Sequence, residues 1–352
     1  MTHGANRFLV EMVNSISVQI RRRGEHLPIA LVLVLSFLFN IVGITWGLPH
    51  YGDWAIDGIA PFRVLEAAYY RFSNGWHTGY PPVHFAILAA LIAPLMGYLM
   101  LSGGLNDPSP VFPFGLADPL SALTYVTLIS RTVSALMGVG IVLLVYLTVC
   151  ELFDRRSALF SALMVALCYP LVFYAHNANV DVPYLFWALL AIYYFLRVLK
   201  HGSLKEYVLF ALFGTLSICT KDQAFGLFLL SPLPILWIRF AEPGQASLER
   251  PSFGAVIFDR RNVLAFMVAL ATFIVAQNLV FNLSGFIEHV RLITNPAILV
   301  PRYEPTLLGR VQLLGETLSL LASGLTLPLF GFCLIGSIYY AFRFPRYSLP
   351  LL

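Results

Sequence analysis

Residues 82–101 read PVHFAILAALIAPLMGYLML, and whether this stretch crosses a bilayer decides on which side everything after it lies. At 1.5 Å per residue, a helix of this length can cover a hydrocarbon core of about 30 Å. The stretch nevertheless opens on Pro81-Pro82, carries His84 and is interrupted by Pro94 and Gly97. Such a segment is better placed beside the membrane, or re-entering it, than as a clean span.

The basic loops point the same way. Strong apolar runs occur at about 27–47, 122–149, 157–176, 182–199, 204–220, 223–239, 262–283 and 320–342. Between them lie Arg21–Arg23, Arg155–Arg156, Arg197 to Lys205, Arg239 to Arg261, and Arg343 with Arg346. Lys and Arg collect in cytoplasmic loops, and all five clusters fall on one side only if 82–101 does not cross. The expected fold is an all-α integral membrane bundle of about eight transmembrane helices, with both termini inside. Outer loops then cover about 48–121, with a juxtamembrane helix, and about 284–319.

Composition excludes the alternatives. The 352 residues are 59% hydrophobic and 11% charged, against roughly 25% charged in soluble domains. The net charge of +4 comes mainly from the short basic loops and not from a patch suited to nucleic acid. Cys150, Cys168, Cys219 and Cys333 lie in or beside apolar runs without metal-ligand spacing, and the histidines show no HExxH pattern. No metal and no cofactor is expected. Asn282-Leu-Ser284 matches a glycosylation sequon in form only, because it abuts the membrane.

This topology gathers the sparse non-cytoplasmic charges on one membrane surface: Asp53, Asp57 and Glu66 after the first span, Asp181 at the mouth of the fourth, and Lys221-Asp222 in a tight turn. Carboxylates there can serve as a general base on an acceptor, and a cation can neutralise a phosphate leaving group. Lys221 is the only lysine placed outside. Plainer roles compete: Asp181 as a helix cap, Asp53 as a solvated loop residue, Asp222 paired with Lys221, Glu66 paired with Arg63 at i,i+3. Asp57, between Ile56 and Gly58-Ile59, is harder to explain by solvation. Arg131 lies inside a span, where an ion pair and phosphate binding are the two readings.

In order along the chain, these features resemble the GT-C membrane glycosyltransferases, in particular the protein O-mannosyltransferase and aminoarabinose-transferase branch. Trp54-Ala-Ile-Asp57-Gly58 stands where that family has an Asp-Glu motif, and Tyr80-Pro81-Pro82-Val83-His84 matches its juxtamembrane helix. Arg131-Thr-Val-Ser-Ala-Leu-Met-Gly138, the stretch from Tyr174 through Asp181 to Trp187, and Thr220-Lys221-Asp222 follow in the family's order. Two departures stand out: Gly58 replaces the usual Glu, and the lysine that some members carry before the juxtamembrane proline is absent.

The resemblance divides the chain into a cytoplasmic segment (1–26), a catalytic membrane module (27–240) and C-terminal membrane helices (241–352), after which further spans are expected. It implies inverting transfer from a polyprenyl-phosphate-linked sugar, at the outer face of a bacterial plasma membrane, to a lipid, glycan or protein acceptor. Asp57 would deprotonate the acceptor, Asp181 would assist, and Lys221 would contact the carrier phosphate. Arg63, Arg131, Asp53, Glu66, His84 and Asp222 complete the candidate site as substrate-binding residues. A transporter or lipid flippase would instead place ionisable groups near mid-bilayer and show paired repeats. A catalytically degenerate scaffold would leave the outer-face clustering without a purpose.

Overall fold

The computed structural model describes residues 26–50, 58–241, 252–295 and 303–343. Its central pole is α4 (Pro119–Leu152), a helix of 34 residues after α1 (His26–Ile41), α2 (Pro61–Tyr69) and α3 (Val83–Leu101). Pro119 suits the first turn, and the Asp118 carboxylate accepts the Ser121 N–H at 3.1 Å. At about 51 Å, α4 outreaches the hydrocarbon core.

Small residues bring neighbours close to the pole. Ala158, Ala162 and Ala166 put a flat i,i+4 stripe of α5 (Arg155–Ala166) against Val142 and Tyr146 of α4 and Ile29 of α1. Gly138 is required where the end of α1 crosses, since a Cβ there would lie 2.9 Å from Asn40 Nδ2.

The chain then alternates through α5 and α6 (Tyr169–Ala175), α7 (Asp181–His201) and α8 (Leu204–Ile218). Gly202, in the left-handed region, closes α7, and a Ser203–Glu206 capping box opens α8. A tight turn leads through a 3-10 turn (Asp222–Ala224), α9 (Phe225–Phe228) and α10 (Pro232–Ala241); Asp222–Phe240 is long and apolar enough to cross. After α11 (Phe253–Ile257) come α12 (Arg260–Ala276), α13 (Leu279–Ile293), α14 (Leu307–Leu325) and α15 (Leu327–Arg343).

By length and composition alone α3 could cross a membrane. Its two ends, however, meet the same end of the bundle. The Val83 N–H donates to the carbonyl of Cys219, at the close of α8. At the other end, Leu99 and Leu105 pack on Ala122 and Leu123 in the first turns of α4. Because α4, α5–α6, α7 and α8 alternate in direction, those two anchors lie at one level. The helix therefore lies along that end of the bundle.

Three apolar runs expected to be straight are bent. The run 157–176 breaks by 56° between α5 and α6, where Pro170 opens a new helix. The run 262–283 ends at Ala276 and turns 79° at Gln277-Asn278, with Asn278 at φ 51°. The stretch expected to begin the second outer loop is instead α13. Likewise 320–342 is two helices meeting at 117° around Thr326 (φ 66°), since Pro328 cannot continue the hydrogen-bond ladder.

Candidate active site

Asp181 is the first residue of α7, and Lys221 follows the last turn of α8, so two neighbouring antiparallel helices deliver both to the same end of the bundle. Lys221 Nζ pairs with Asp181 Oδ1 at 2.5 Å, the side chains 15% and 26% exposed. The rings of Tyr80 and Tyr184 flank the ammonium at 5.9 and 5.7 Å, a favourable cation–π setting. Asn179 fixes the carboxylate: its Nδ2 donates to Asp181 Oδ2 at 3.1 Å and its Oδ1 accepts the Asp181 N–H at 3.2 Å.

The same asparagine is bridged to Gly58, and the Ile59 N–H donates to the Ala178 carbonyl at 2.6 Å. Asp53 and Asp57 lie outside the described residues. Gly58, the residue after Asp57, is thus tied to the backbone two positions before Asp181. Arg131, almost fully buried, holds the other side of that stretch. Its Nη1 donates to the carbonyls of Ile44 and Trp46, both at 2.7 Å, gripping the chain beyond α1. The reading of Arg131 from the sequence did not anticipate these backbone carbonyls as partners.

A cavity of about 360 Å³ opens beside this junction, lined among others by Gly58, Ile59, Arg63, His77, Tyr80 and Leu292. Arg63 pairs with Glu66 at 3.7 Å, the i,i+3 arrangement expected on α2. His84 is fully buried with no hydrogen-bond partner on either ring nitrogen among the described residues, while its neighbour Phe85 reaches the cavity wall.

Asp222 does not pair with Lys221. It faces His289 Nε2 at 3.2 Å. That histidine belongs to a feature the sequence reading missed, a row of side chains on α13 that holds the loop 72–78. Asn278 donates to the Phe72 carbonyl at 2.6 Å; Asn282 accepts the Gly75 N–H at 2.9 Å and donates to the Trp76 carbonyl at 2.8 Å. His289 Nδ1 meets the Thr78 carbonyl at 2.7 Å. Gly285 lets the loop pass, since a Cβ would sit 2.3 Å from the Trp76 oxygen. The polar residues Asn278, Asn282 and His289, with Gly285 between them, recur at intervals of four, three and four residues, although the helix kinks at Asn282 (φ −143°, ψ 43°). That periodicity was the available signal. It also explains why the Asn282 sequon is buried.

Residues 123–258 match the family model described as dolichyl-phosphate-mannose-protein mannosyltransferase. Among solved structures, the chain is similar to the Archaeoglobus fulgidus oligosaccharyltransferase in complex with Zn and sulfate, at TM-score 0.50 and 17% identity over 92% of this chain and 44% of that one. The apo form of the same enzyme gives TM-score 0.46 at 15% identity, covering 93% and 38% of the two chains. The form tethered with an acceptor peptide gives 0.47 at 15%, covering 93% and 45%. The chain thus spans less than half the length of that enzyme. No curated protein sequence matches it significantly. The matched segment contains α7, α8 and the turn between α8 and the next span, the elements that carry Asp181 and Lys221. Over residues 123–258, less than half of the chain, the sequence thus resembles a mannosyltransferase family, and the helical architecture is similar to that of the oligosaccharyltransferase.

Proposed function

We propose that the protein transfers a sugar from a polyprenyl-phosphate carrier to an acceptor at the outer or lumenal face of the membrane, with inversion at the anomeric carbon. The observation that carries this reading is the Lys221–Asp181 pair, joined through Asn179 to Gly58 and set beside the 360 Å³ cavity. An acceptor hydroxyl or amine attacks the anomeric carbon, the bond to the carrier phosphate breaks, and Asp57 takes the acceptor proton. Negative charge grows on the departing phosphate.

Lys221 answers that charge. Asp181 engages one of its three N–H donors, leaving two for phosphate oxygens. The flanking Tyr80 and Tyr184 rings keep the ammonium partly desolvated, which strengthens such a contact. Asp181 is then a positioning carboxylate for Lys221 as much as a partner of Asp57. The family description names a protein acceptor; lipid and glycan acceptors are the other classes to test.

Purified full-length protein, given a panel of radiolabelled polyprenyl-phosphate sugars with peptide, lipid and glycan acceptors, should transfer label from at least one donor. Absence of transfer from every donor, by protein that is monodisperse in detergent, would overturn the reading.

A further inference from the structure

At the opposite end of the bundle a second cavity, about 80 Å³, lies where the C-terminal ends of α7 and α10 meet the start of α12. Lys200, His201, Arg239 and Arg261 stand in its walls, and Ile235 and Ile238 line it from the apolar side. No carboxylate among the described residues lines it. Glu151 holds Lys200 at 3.0 Å and Asp259 holds Arg239 at 2.8 Å, each from outside the cavity. Arg261 differs from both. Its Nη1 donates to the neutral carbonyl of Gly202 at 2.7 Å, so the guanidinium is oriented without an ion pair among the described residues. Most of its five N–H donors remain for a ligand.

Arg261, with Lys200 and Arg239 also in the walls, borders a space whose size suits a tetrahedral anion such as a phosphate group. Two observations favour a lipid over a soluble ion. The cavity has an apolar side, and α10 turns Leu233 and Trp237 outward, 61% and 73% exposed, where an acyl chain would lie. Trp237 lies at nearly the same level of α10 as Arg239, though on another face, a level at which an interfacial aromatic accompanies headgroup cations. Arg155, Arg156 and Arg260 crowd the same end, which the charge rule assigns to the cytoplasm, and that leaflet carries anionic lipids.

We infer that this cavity seats the headgroup phosphate of an anionic phospholipid of the cytoplasmic leaflet, held by Arg261 with Lys200 and Arg239. The test uses the full-length protein in detergent and native mass spectrometry with phosphatidylglycerol and phosphatidylcholine of identical chains. Phosphatidylglycerol should be retained about tenfold more tightly, as expected for charge-assisted contacts. Arg261→Gln should lose that preference and Arg261→Lys should keep most of it. His201→Glu, which adds a carboxylate to an exposed position on the cavity wall, should abolish it even if the Arg261 variants do not fold. Inorganic phosphate at 10 mM, roughly the concentration at which a weak anion contact saturates, should leave the lipid bound. Equal retention of the two lipids, or an unchanged preference in Arg261→Gln and His201→Glu, would overturn the site. Displacement by inorganic phosphate would overturn the lipid and make the ligand a soluble anion.

Discussion

The two ends of the bundle both concentrate charge, yet they spend it differently. At the inner end Arg197 meets Glu151 at 2.8 Å and Glu206 at 3.1 Å, while Lys200 takes the other oxygen of Glu151. One network ties α4, α7 and α8 together, and each of its charges has an opposite partner. At the opposite end, most of the holding is done on neutral backbone atoms, which Arg131, Asn278, Asn282 and His289 grip. The Lys221–Asp181 pair there joins two helix ends beside a cavity. A charge at a span end therefore says little until its partner is known. A closed network reads as structure, and a cation with spare donors at a cavity reads as chemistry.

The sharpest way to break this contrast is to remove the carboxylate proposed above as the base. A general base contributes on the order of 10²–10⁴-fold, so Asp57→Asn should lower the initial rate at saturating donor by that factor. Asp53→Asn should cost less than about tenfold, since substitutions away from a reacting group seldom perturb a protein much. An inactive Asp53→Asn beside an active Asp57→Asn would move the proposed base to Asp53. Next in size is the cation. Lys221→Ala should raise the apparent KM for donor about tenfold or more, a charge-assisted contact being worth roughly 1.5–3 kcal/mol, and Lys221→Arg should recover part of it. An unchanged KM would move Lys221 into the same class as Arg197.

Much of this arrangement could be read from the chain. Apolar runs of about twenty residues and the sidedness of arginine fix the class and the level of each charge, because the bilayer leaves few alternatives. The order of motifs placed Asp181 and Lys221 at one surface. Composition cannot show whether an apolar helix is straight, so the bends at Leu167, Asn278 and Thr326 went unread. Nor could adjacency reveal partners. Lys221 and Asp222 are neighbours in sequence, but one ends an extended turn and the other starts a 3-10 turn, and they face Asp181 and His289 respectively. The clamp on 72–78 brings together residues about 200 positions apart, a pairing that no local pattern encodes.

The inner network supplies the complementary measurement. Arg197→Ala leaves Glu206, only 7% exposed at its side chain, without its ion-pair partner, while the Ser203 N–H still bonds it at 2.9 Å. The Arg197 side chain itself is 31% exposed, so solvent screening limits the loss to about 1–2 kcal/mol. Thermal unfolding in detergent should show a lower Tm, while the rate per folded molecule stays at the wild-type value. A variant with normal Tm and lost activity would mean that the inner end takes part in the reaction.

The smallest expected effect lies at the cavity itself and tests how little some charges do there. Glu66 pairs with Arg63 at 3.7 Å, with side chains 29% and 52% exposed. An i,i+3 pair of this kind is worth about 0.2–0.5 kcal/mol. Arg63 has a second support, since its guanidinium lies 5.5 Å from the Phe62 ring, and Phe62 stacks on Phe114 at 5.9 Å. Removing the carboxylate charge therefore leaves Arg63 at the cavity wall. Glu66→Gln should change the transfer rate by less than about threefold and stability by under ~0.5 kcal/mol. Arg63→Gln, which removes the cation from the wall, should raise KM more than Glu66→Gln does. If Glu66→Gln instead matched Asp57→Asn, Glu66 would be acting on the substrate, supplying from α2 the second acid that Gly58 lacks.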